Sequence, residues 1–323
     1  MRILVTGAAG FIGSNYVRRV IDHSLAGISS VIAVDSLTYA GVMENLREVL
    51  PSESFSFIHG DIRDVELVSG LLKDVDAVIN FAAESHVDRS IQGSAEFVST
   101  NMAGVQVLLD AIKSSGKKIR FVQVSTDEVY GSIDEGSWDE NCPLLPNSPY
   151  SASKAGGELL ARSYHSTHAM DVVITRCSNN YGTHHFPEKL IPLFVTNLLE
   201  GKKVPVYGDG KNVRDWLHVD DHCRGIHAVL MKGKSGEVYN IGGGRELNNL
   251  KITELILEAM GMDESSIEYV EDRKGHDLRY SVDWTKIKRE LGYEPQVSFE
   301  DGLRETIKWY QENEAWWKPL KNR

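Results

Sequence analysis

Cysteine is scarce in this chain. Its three residues, Cys142, Cys177 and Cys223, lie far apart and show no Cys-x-x-Cys spacing. An odd, scattered set excludes a disulfide framework and a cysteine-based zinc site, and it points to a reducing compartment, the cytoplasm, as the expected location. Long apolar runs are missing as well. No uninterrupted stretch approaches the roughly 18 residues a membrane helix needs, so no membrane partner is expected. The N-terminus opens on a strand-like run rather than a leader layout. Positive charge is in deficit, with 35 Lys and Arg against 46 Asp and Glu. That balance argues against nucleic acid, which needs clustered cations, but leaves room for a local patch that holds a small anion. Metal-ligand spacing is also lacking: His86 has no partners at such spacing, and no metal is expected.

What the chain does have is enough length, 323 residues, for a large core and two lobes. Arg2–Thr6 is a short apolar run, followed by Gly7-Ala8-Ala9-Gly10-Phe11-Ile12-Gly13 and a helical pattern to about Ile21. Strand, glycine turn and helix together make a dinucleotide-binding hypothesis. Gly7 would permit the tight turn, Gly10 the approach of pyrophosphate, and Gly13 close helix–strand packing. The Gly-x-x-Gly-x-x-Gly spacing differs from the commoner Gly-x-Gly-x-x-Gly. A second strand, Val31–Val34, ends on Asp35, an acceptor for ribose hydroxyls that would repel a 2′-phosphate and so favours NAD over NADP. A third strand, Phe55–His59, leads to Asp61, placed to contact an adenine amine. A fourth, Ala77–Phe81, runs into Ala82 and Ala83, whose small side chains leave room for a flat cofactor.

Ile119–Val124 has the composition of another strand, and it delivers Ser125-Thr126-Asp127-Glu128 to the sheet's carboxyl end, where open α/β sheets bind ligands. Ser148 offers an N-cap and Pro149 a first helical residue. Tyr150 and Lys154 then share a helical face. An ammonium beside a phenol favours its ionisation, which makes Tyr150 a base for an alcohol proton. Taken alone, a Tyr-x-x-x-Lys is as readily a surface pair. A helix over about Ala95–Ser114 carries Asn101, which needs partners if buried. Gly156 and Gly157 suggest close packing of the Tyr150 helix against another helix or subunit.

The alternation implies a parallel, doubly wound α/β sheet. Asp171–Thr175 is a further strand, and Arg176–Gly182 reads as a polar loop at its end. Beyond it the rhythm weakens. Phe186–Val206 holds a helix and an edge segment ending at Tyr207; Arg214-Asp215-Trp216 reads as a polar bend. Val219–Met231 is helical, and Val238–Ile241 resembles a strand returning to the main sheet. Helices follow near Ile252–Met260, Trp284–Leu291 and Gly302–Asn313, so the second, smaller C-terminal lobe is interleaved with the first.

Assembled, these residues resemble the extended short-chain dehydrogenase/reductase superfamily and, within it, the dTDP-glucose 4,6-dehydratases. The resemblance covers nearly the whole chain and rests on Thr6–Gly13, Ala82–Ile91, Ser125–Gly131, Tyr150–Lys154, Phe186–Pro192, Arg214–Trp216 and Asp272–His276. The Asp127-Glu128 pair is the sharpest mark, because related sugar 4-epimerases lack it. One departure is Tyr181-Gly182-Thr183-His184-His185, where relatives usually carry a Pro and a Tyr before the His. The resemblance implies a Rossmann-type NAD domain over residues 1–182, rejoined by about 216–245, and a lobe over 183–323 that mainly binds the nucleotide sugar. It implies that NAD lies against Gly7, Gly10, Phe11, Ile12, Gly13, Asp35, Ser36, Leu37, Thr38, Asp61 and Ile62. Ala82, Ala83, Ser85, Thr100, Tyr150, Lys154 and Asn180 complete that set. The substrate, dTDP-glucose, would lie against Ser85, His86, Thr126, Asn179, Glu188, Lys189, Leu190, Pro205, Tyr207, Arg214, Asn249, Arg273 and His276.

By the same resemblance Tyr150 takes the C4 hydroxyl proton, with Lys154 lowering its pKa and Thr126 bonding the C4 oxygen. Glu128 is the C5 base and Asp127 the acid for the departing C6 hydroxyl. Adjacent side chains on a regular strand point to opposite faces, so the backbone at Thr126–Glu128 is expected to leave strand geometry. Relatives dimerise through a four-helix bundle of the helices near Ala95–Ser114 and Tyr150–His168. The rival functions are a nucleotide-sugar 4-epimerase, which needs no elimination, and a non-catalytic NAD-binding regulator, which needs neither Tyr150 nor the carboxylate pair.

Overall fold

The structure, a computed structural model, describes residues 1–273 and 275–322. Strands β1 (Arg2–Thr6), β2 (Ser30–Asp35), β3 (Phe55–His59), β4 (Ala77–Asn80), β5 (Arg120–Thr126) and β6 (Val172–Cys177) come first along the chain. They are followed by β7 (Asn179–Tyr181), β8 (Val204–Tyr207), β9 (Val213–His218), β10 (Val238–Ile241), β11 (Glu246–Asn248) and β12 (Ile267–Val270). Seven strands form one sheet in the order β10-β6-β5-β4-β1-β2-β3. All its pairings are parallel, so helices must cover both faces, and β4 and β6 are buried along their whole length.

On one face, Tyr16 and Val17 of the Phe11–Ile21 helix and Ile226 and Val229 of the Val219–Lys232 helix pack into a single apolar cluster. On the other, Val68, Leu108, Leu109, Ile112 and Ala161 do the same from three helices. The strand order reverses between β1 and β4, which opens a crevice at their carboxyl ends. A second lobe holds two small sheets, β11-β9-β7 and β12-β8. Its own core contains Phe194, Trp216, Ile256, Leu303 and Trp317.

Several local readings are corrected. Arg214-Asp215-Trp216 is no bend but the middle of β9, because Trp216 enters the second lobe's core, Leu217 the main sheet's core, and the polar side chains find partners between them. The polar stretch after Thr175 is not all loop: Arg176 and Cys177 finish β6, and Asn179–Tyr181 pairs in parallel with Trp216–His218. The helical stretch from Ala95 to Ser115 is continuous, but Ser99–Gly104 within it is wound as π-helix. There Asn101 is fully engaged: it accepts from the Glu84 amide at 2.9 Å and donates to the Glu84 carbonyl and Ser153 Oγ. Gly156 and Gly157 serve contacts inside the chain. A Cβ on Gly157 would stand 2.2 Å from the Asn101 carbonyl oxygen, and one on Gly156 2.7 Å from the Met102 side chain.

Candidate active site

Two adjoining cavities, of about 320 and 310 Å³, lie along the carboxyl edge of the main sheet and between the lobes. The first runs past the glycine loop. Gly7 holds φ +66°, and a Cβ there would meet the Ala82 nitrogen at 2.5 Å. A Cβ on Gly13 would meet the Gly7 carbonyl oxygen at 2.2 Å, so these two glycines are required by close packing. Gly10 caps the Phe11–Ile21 helix without a side-chain bond, and no acid occupies the first turn. The amide end of that helix therefore faces the cavity as an anion site.

Asp35 ends β2 with its carboxylate accepting from the Ala9 amide at 2.9 Å and the Leu37 amide at 2.8 Å. Burial raises its pKa, against the pull of those amides. Ser36, Thr38, Asp61, Ile62, Ala82, Ala83, Ser85, Thr100 and Asn180 also line this cavity. Leu37 does not; its side chain packs on the core and only its amide serves the site, through Asp35. Asp61 is gripped by Arg63, whose Nη2 lies 2.7 Å away and which holds its carboxyl below the usual range. Asn180 is fixed by His222 at 2.9 Å.

The reacting groups sit where this cavity meets the second. β5 ends at Thr126, and Asp127–Tyr130 turn into a 3-10 helix, so the chain leaves strand geometry at the carboxylate pair. Thr126 caps the turn, its Oγ1 accepting from the Glu128 amide at 3.3 Å and donating to Asp127 at 3.2 Å. Ser148 and Ser151 form a reciprocal cap that starts the next helix at Pro149. That helix brings Tyr150 and Lys154 to the same wall as Thr126, Asp127 and Glu128.

Charge separates the two acids. Burial, then Glu128 and Asp215, holds Asp127 well above the carboxyl range, while Arg214 and the Thr126 bond oppose. Its Oδ2 is buried without a partner. Burial also raises Glu128, but Arg214, Lys189 and Arg273 pull it back. Burial thus favours the protonated form of both acids, while three cations oppose it at Glu128 and only Arg214 does so at Asp127. Tyr150 runs against expectation. Burial, then Glu128 and Cys177, pushes its phenol well up, with only the Thr126 bond among the leading influences pulling it down. Lys154 donates to the Val124 carbonyl at 2.7 Å, and desolvation lowers its own pKa to about 8. Lys154 is not among the leading influences on the phenol, contrary to what a spacing of four residues suggested.

The second cavity shares Glu128, Asn179, Asn180, His185, Glu188 and Lys189 with the first. His86, Leu190, Pro205, Tyr207, Arg214, Asn249, Arg273 and His276 line it too, while Ser85 and Thr126 open to the first cavity. Lys189 reaches across the lobes to the Ser85 carbonyl at 3.0 Å. Arg214 lies 4.2 Å from the centre of the Tyr280 ring and donates to the Asp277 carbonyl at 3.0 Å. Arg273 lies over Tyr207. Lys274, within the expected Asp272–His276 stretch, is outside the described residues. Buried polar atoms without a hydrogen-bond partner gather here, Asn179 Oδ1, Trp216 Nε1 and Asn249 Oδ1, and Arg273 Nε lies 3.4 Å from the Asp88 carboxylate. Sequence reading missed Tyr39, Arg63, Asp88, Asp277 and Tyr280 as lining residues. Of these only Arg63, two residues beyond Asp61, carried a local signal.

This geometry has known counterparts. A family model described as GDP-mannose 4,6 dehydratase matches residues 4–306. A dTDP-glucose 4,6-dehydratase of Actinoplanes is 58% identical, covering 98% of this chain and all of its own. The chain belongs to the dTDP-glucose 4,6-dehydratase family. The crystal structure of the Streptomyces venezuelae dTDP-glucose 4,6-dehydratase DesIV, with NAD and a thymidine nucleotide bound, is 59% identical. Its TM-score is 0.98, over 99% of this chain and 100% of that one. A Bacillus cereus UDP-glucuronic acid 4-epimerase shares the fold at a TM-score of 0.90 but only 31% identity, over 97% of this chain and 99% of its own. The 4,6-dehydratase family is thus separated from the epimerases by identity more than by shape.

Proposed function

We propose that the chain converts dTDP-glucose to dTDP-4-keto-6-deoxyglucose, with NAD as its resident cofactor. The observation that carries this reading is the buried Asp127–Glu128 turn on the same cavity wall as Tyr150 and Lys154. An epimerase or a redox-sensing regulator has no use for two carboxyls whose environments separate their protonation.

The first cavity suits NAD. Gly7 and Gly13 have no room for side chains, the helix N-terminus offers amides to a pyrophosphate, and Asp35 offers its remaining lone pairs to ribose hydroxyls. Bound there, NAD would accept the C4 hydride and later return it to C6, and its cationic ring would favour the phenolate that Tyr150 does not adopt on its own. Tyr150 takes the C4 hydroxyl proton, and Thr126 steadies that oxygen. The resulting C4 ketone acidifies the C5 proton, which Glu128 removes and gives back to C5 when hydride is returned to C6. Asp127, protonated by its surroundings, delivers its proton to the C6 hydroxyl as water leaves. Each such transfer is worth roughly a hundred- to ten-thousand-fold in rate. Arg214 and Arg273 hold the diphosphate, with Lys189, Tyr207, Asn249 and His276 around the nucleotide.

The NAD lobe is residues 1–182 rejoined by about 216–245, and the remainder mainly binds the nucleotide sugar. Two copies pair through the helices at Ala95–Ser115 and Pro149–His168. Three free thiols fit a reducing cytoplasm, and no described helix is long and apolar enough to cross a membrane.

The deciding experiment is incubation with dTDP-glucose and its uridine counterpart, reading ketosugar formation. Product from dTDP-glucose supports the assignment; C4 inversion without loss of water would replace it with epimerisation. Asp127→Asn/Glu128→Gln separates the steps. Oxidation persists, so reduced-cofactor absorbance rises and decays at least a hundred-fold more slowly than in wild type. Normal formation of the 6-deoxy product would remove the pair from the elimination.

A further inference from the structure

Behind the reacting groups lies an ion pair that neither cavity touches. Arg176 and Glu158 are wholly buried. Arg176 Nε donates to both Glu158 carboxylate oxygens at 3.1 Å, and Nη2 donates to the same carboxylate. Nη1 donates to the Tyr130 hydroxyl, and the guanidinium lies 4.6 Å from that ring's centre. The Tyr130 hydroxyl in turn donates a hydrogen bond to Asn240 Oδ1 at 2.9 Å.

The three residues stand on the three elements that build the site. Glu158 is one turn beyond Lys154 and two beyond Tyr150 on the same helix. Tyr130 closes the turn that carries Asp127 and Glu128. Arg176 lies opposite Ser125 in the β5–β6 register, one residue before Thr126 pairs with Cys177. Stability alone does not account for the arrangement, because apolar residues of similar volume often serve a core as well as a buried ion pair. What the pair adds is direction: a bidentate guanidinium–carboxylate contact fixes angle as well as distance.

We infer that Tyr130, Arg176 and Glu158 are positioning residues for the elimination half of the reaction. They hold the Asp127–Glu128 turn at a set distance from Tyr150, so that a sugar oxidised at C4 meets its acid and base without moving. Misplacement of reacting groups by about 1 Å costs roughly a hundred-fold in rate. The inference rests on the dehydratase reading, and it adds residues that touch neither substrate nor cofactor.

Tyr130→Phe keeps the ring and removes the hydroxyl that joins the guanidinium to Asn240. The expected result is a Tm near wild type, a KM for dTDP-glucose within about two-fold, and a kcat lowered about ten-fold. In a single turnover the reduced-nicotinamide band rises at the wild-type rate and decays about ten-fold more slowly. Arg176→Met/Glu158→Met replaces the pair with apolar volume and gives the same slow decay in folded protein; should it not fold, Tyr130→Phe decides alone. A wild-type decay rate in Tyr130→Phe overturns the proposal. So does a rise slowed as much as the decay, which would mean general loosening. Wild-type protein run alongside reads the function separately: no ketosugar from dTDP-glucose would remove the dehydratase reading and this inference with it.

Discussion

Lys154 is an amine with 6% of its surface exposed, held by one carbonyl and with a pKa lowered to about 8. Its charge is kept for function at a cost in stability. The unfolded lysine titrates near 10.5, so below about pH 8 both states are charged and the folded one carries the full desolvation penalty. Between about 8 and 10.5 the unfolded state binds more protons, and wild-type stability rises with pH. Lys154→Met is therefore expected to abolish turnover while raising apo-protein stability by about 1–2 kcal/mol at pH 7, the lost carbonyl bond offsetting part of the gain. The advantage shrinks as pH climbs from about 8 to 10.5. Urea unfolding of both proteins at pH 7 and pH 10 checks it; a less stable variant at pH 7 would contradict the account. Residues of this kind were legible from sequence because their chemistry is local: Tyr150 with Lys154, Asp127 with Glu128, Gly7 with Gly13. Asp277 and Tyr280 were not, since what places Asp277 in the second cavity is a bond to Asn147, 130 residues away.

Among the elements, the contact between the Pro149–His168 helix and the π-wound Ser99–Gly104 segment sets where Tyr150 points. Gly157 stands against the Asn101 carbonyl, and Asn101 in turn holds Glu84 and Ser153. A methyl at Gly157 has only backbone to displace. Gly157→Ala is expected to lose about 1–3 kcal/mol by overpacking and to lower kcat by shifting the helix that bears Tyr150. Gly70, also helical, has open space around its missing Cβ, and Gly70→Ala should gain about 0.5–1 kcal/mol from helix propensity. Denaturation curves of the two variants test the contrast, and equal effects would refute it. The helices and main-sheet strands were readable because their periodicity carries their burial. β7 and β9 were not, because Asn179-Asn180-Tyr181 and Arg214-Asp215-Trp216 are polar strings made into strands by long-range pairing, the first with Trp216–His218 and Arg214-Asp215 with Glu246-Leu247 of β11. The π-helical turn left no pattern in the sequence at all.

On the scale of the whole molecule, the two helices that frame the site also present an apolar surface outward. Val98 is 49% exposed and Leu159 50%, with Ala103 and Ala152 exposed on the same helices. Their inner faces are already occupied: Leu108 and Leu109 on one and Ala161 on the other lie in the sheet's core cluster. In the proposed pairing a second copy would cover these outer faces with the same two helices, as a self-complementary two-fold contact requires. Burying this surface would also stiffen the Pro149–His168 helix and with it the Tyr150–Lys154 pair. Val98→Glu/Leu159→Glu places charge at the centre of that contact, where burying an unpaired carboxylate costs several kcal/mol. The expected outcome is a wild-type dimer and a variant monomer in sedimentation at micromolar concentration, with kcat reduced more than NAD affinity because Asp35 and the glycine loop lie on the far side of the sheet's crossover. A variant that sediments as wild type would place the dimer contact elsewhere or remove it. A monomer with undiminished kcat would show instead that the helix is held by its own chain, through Asn101 and the Arg176–Glu158 pair, and needs no partner to aim Tyr150.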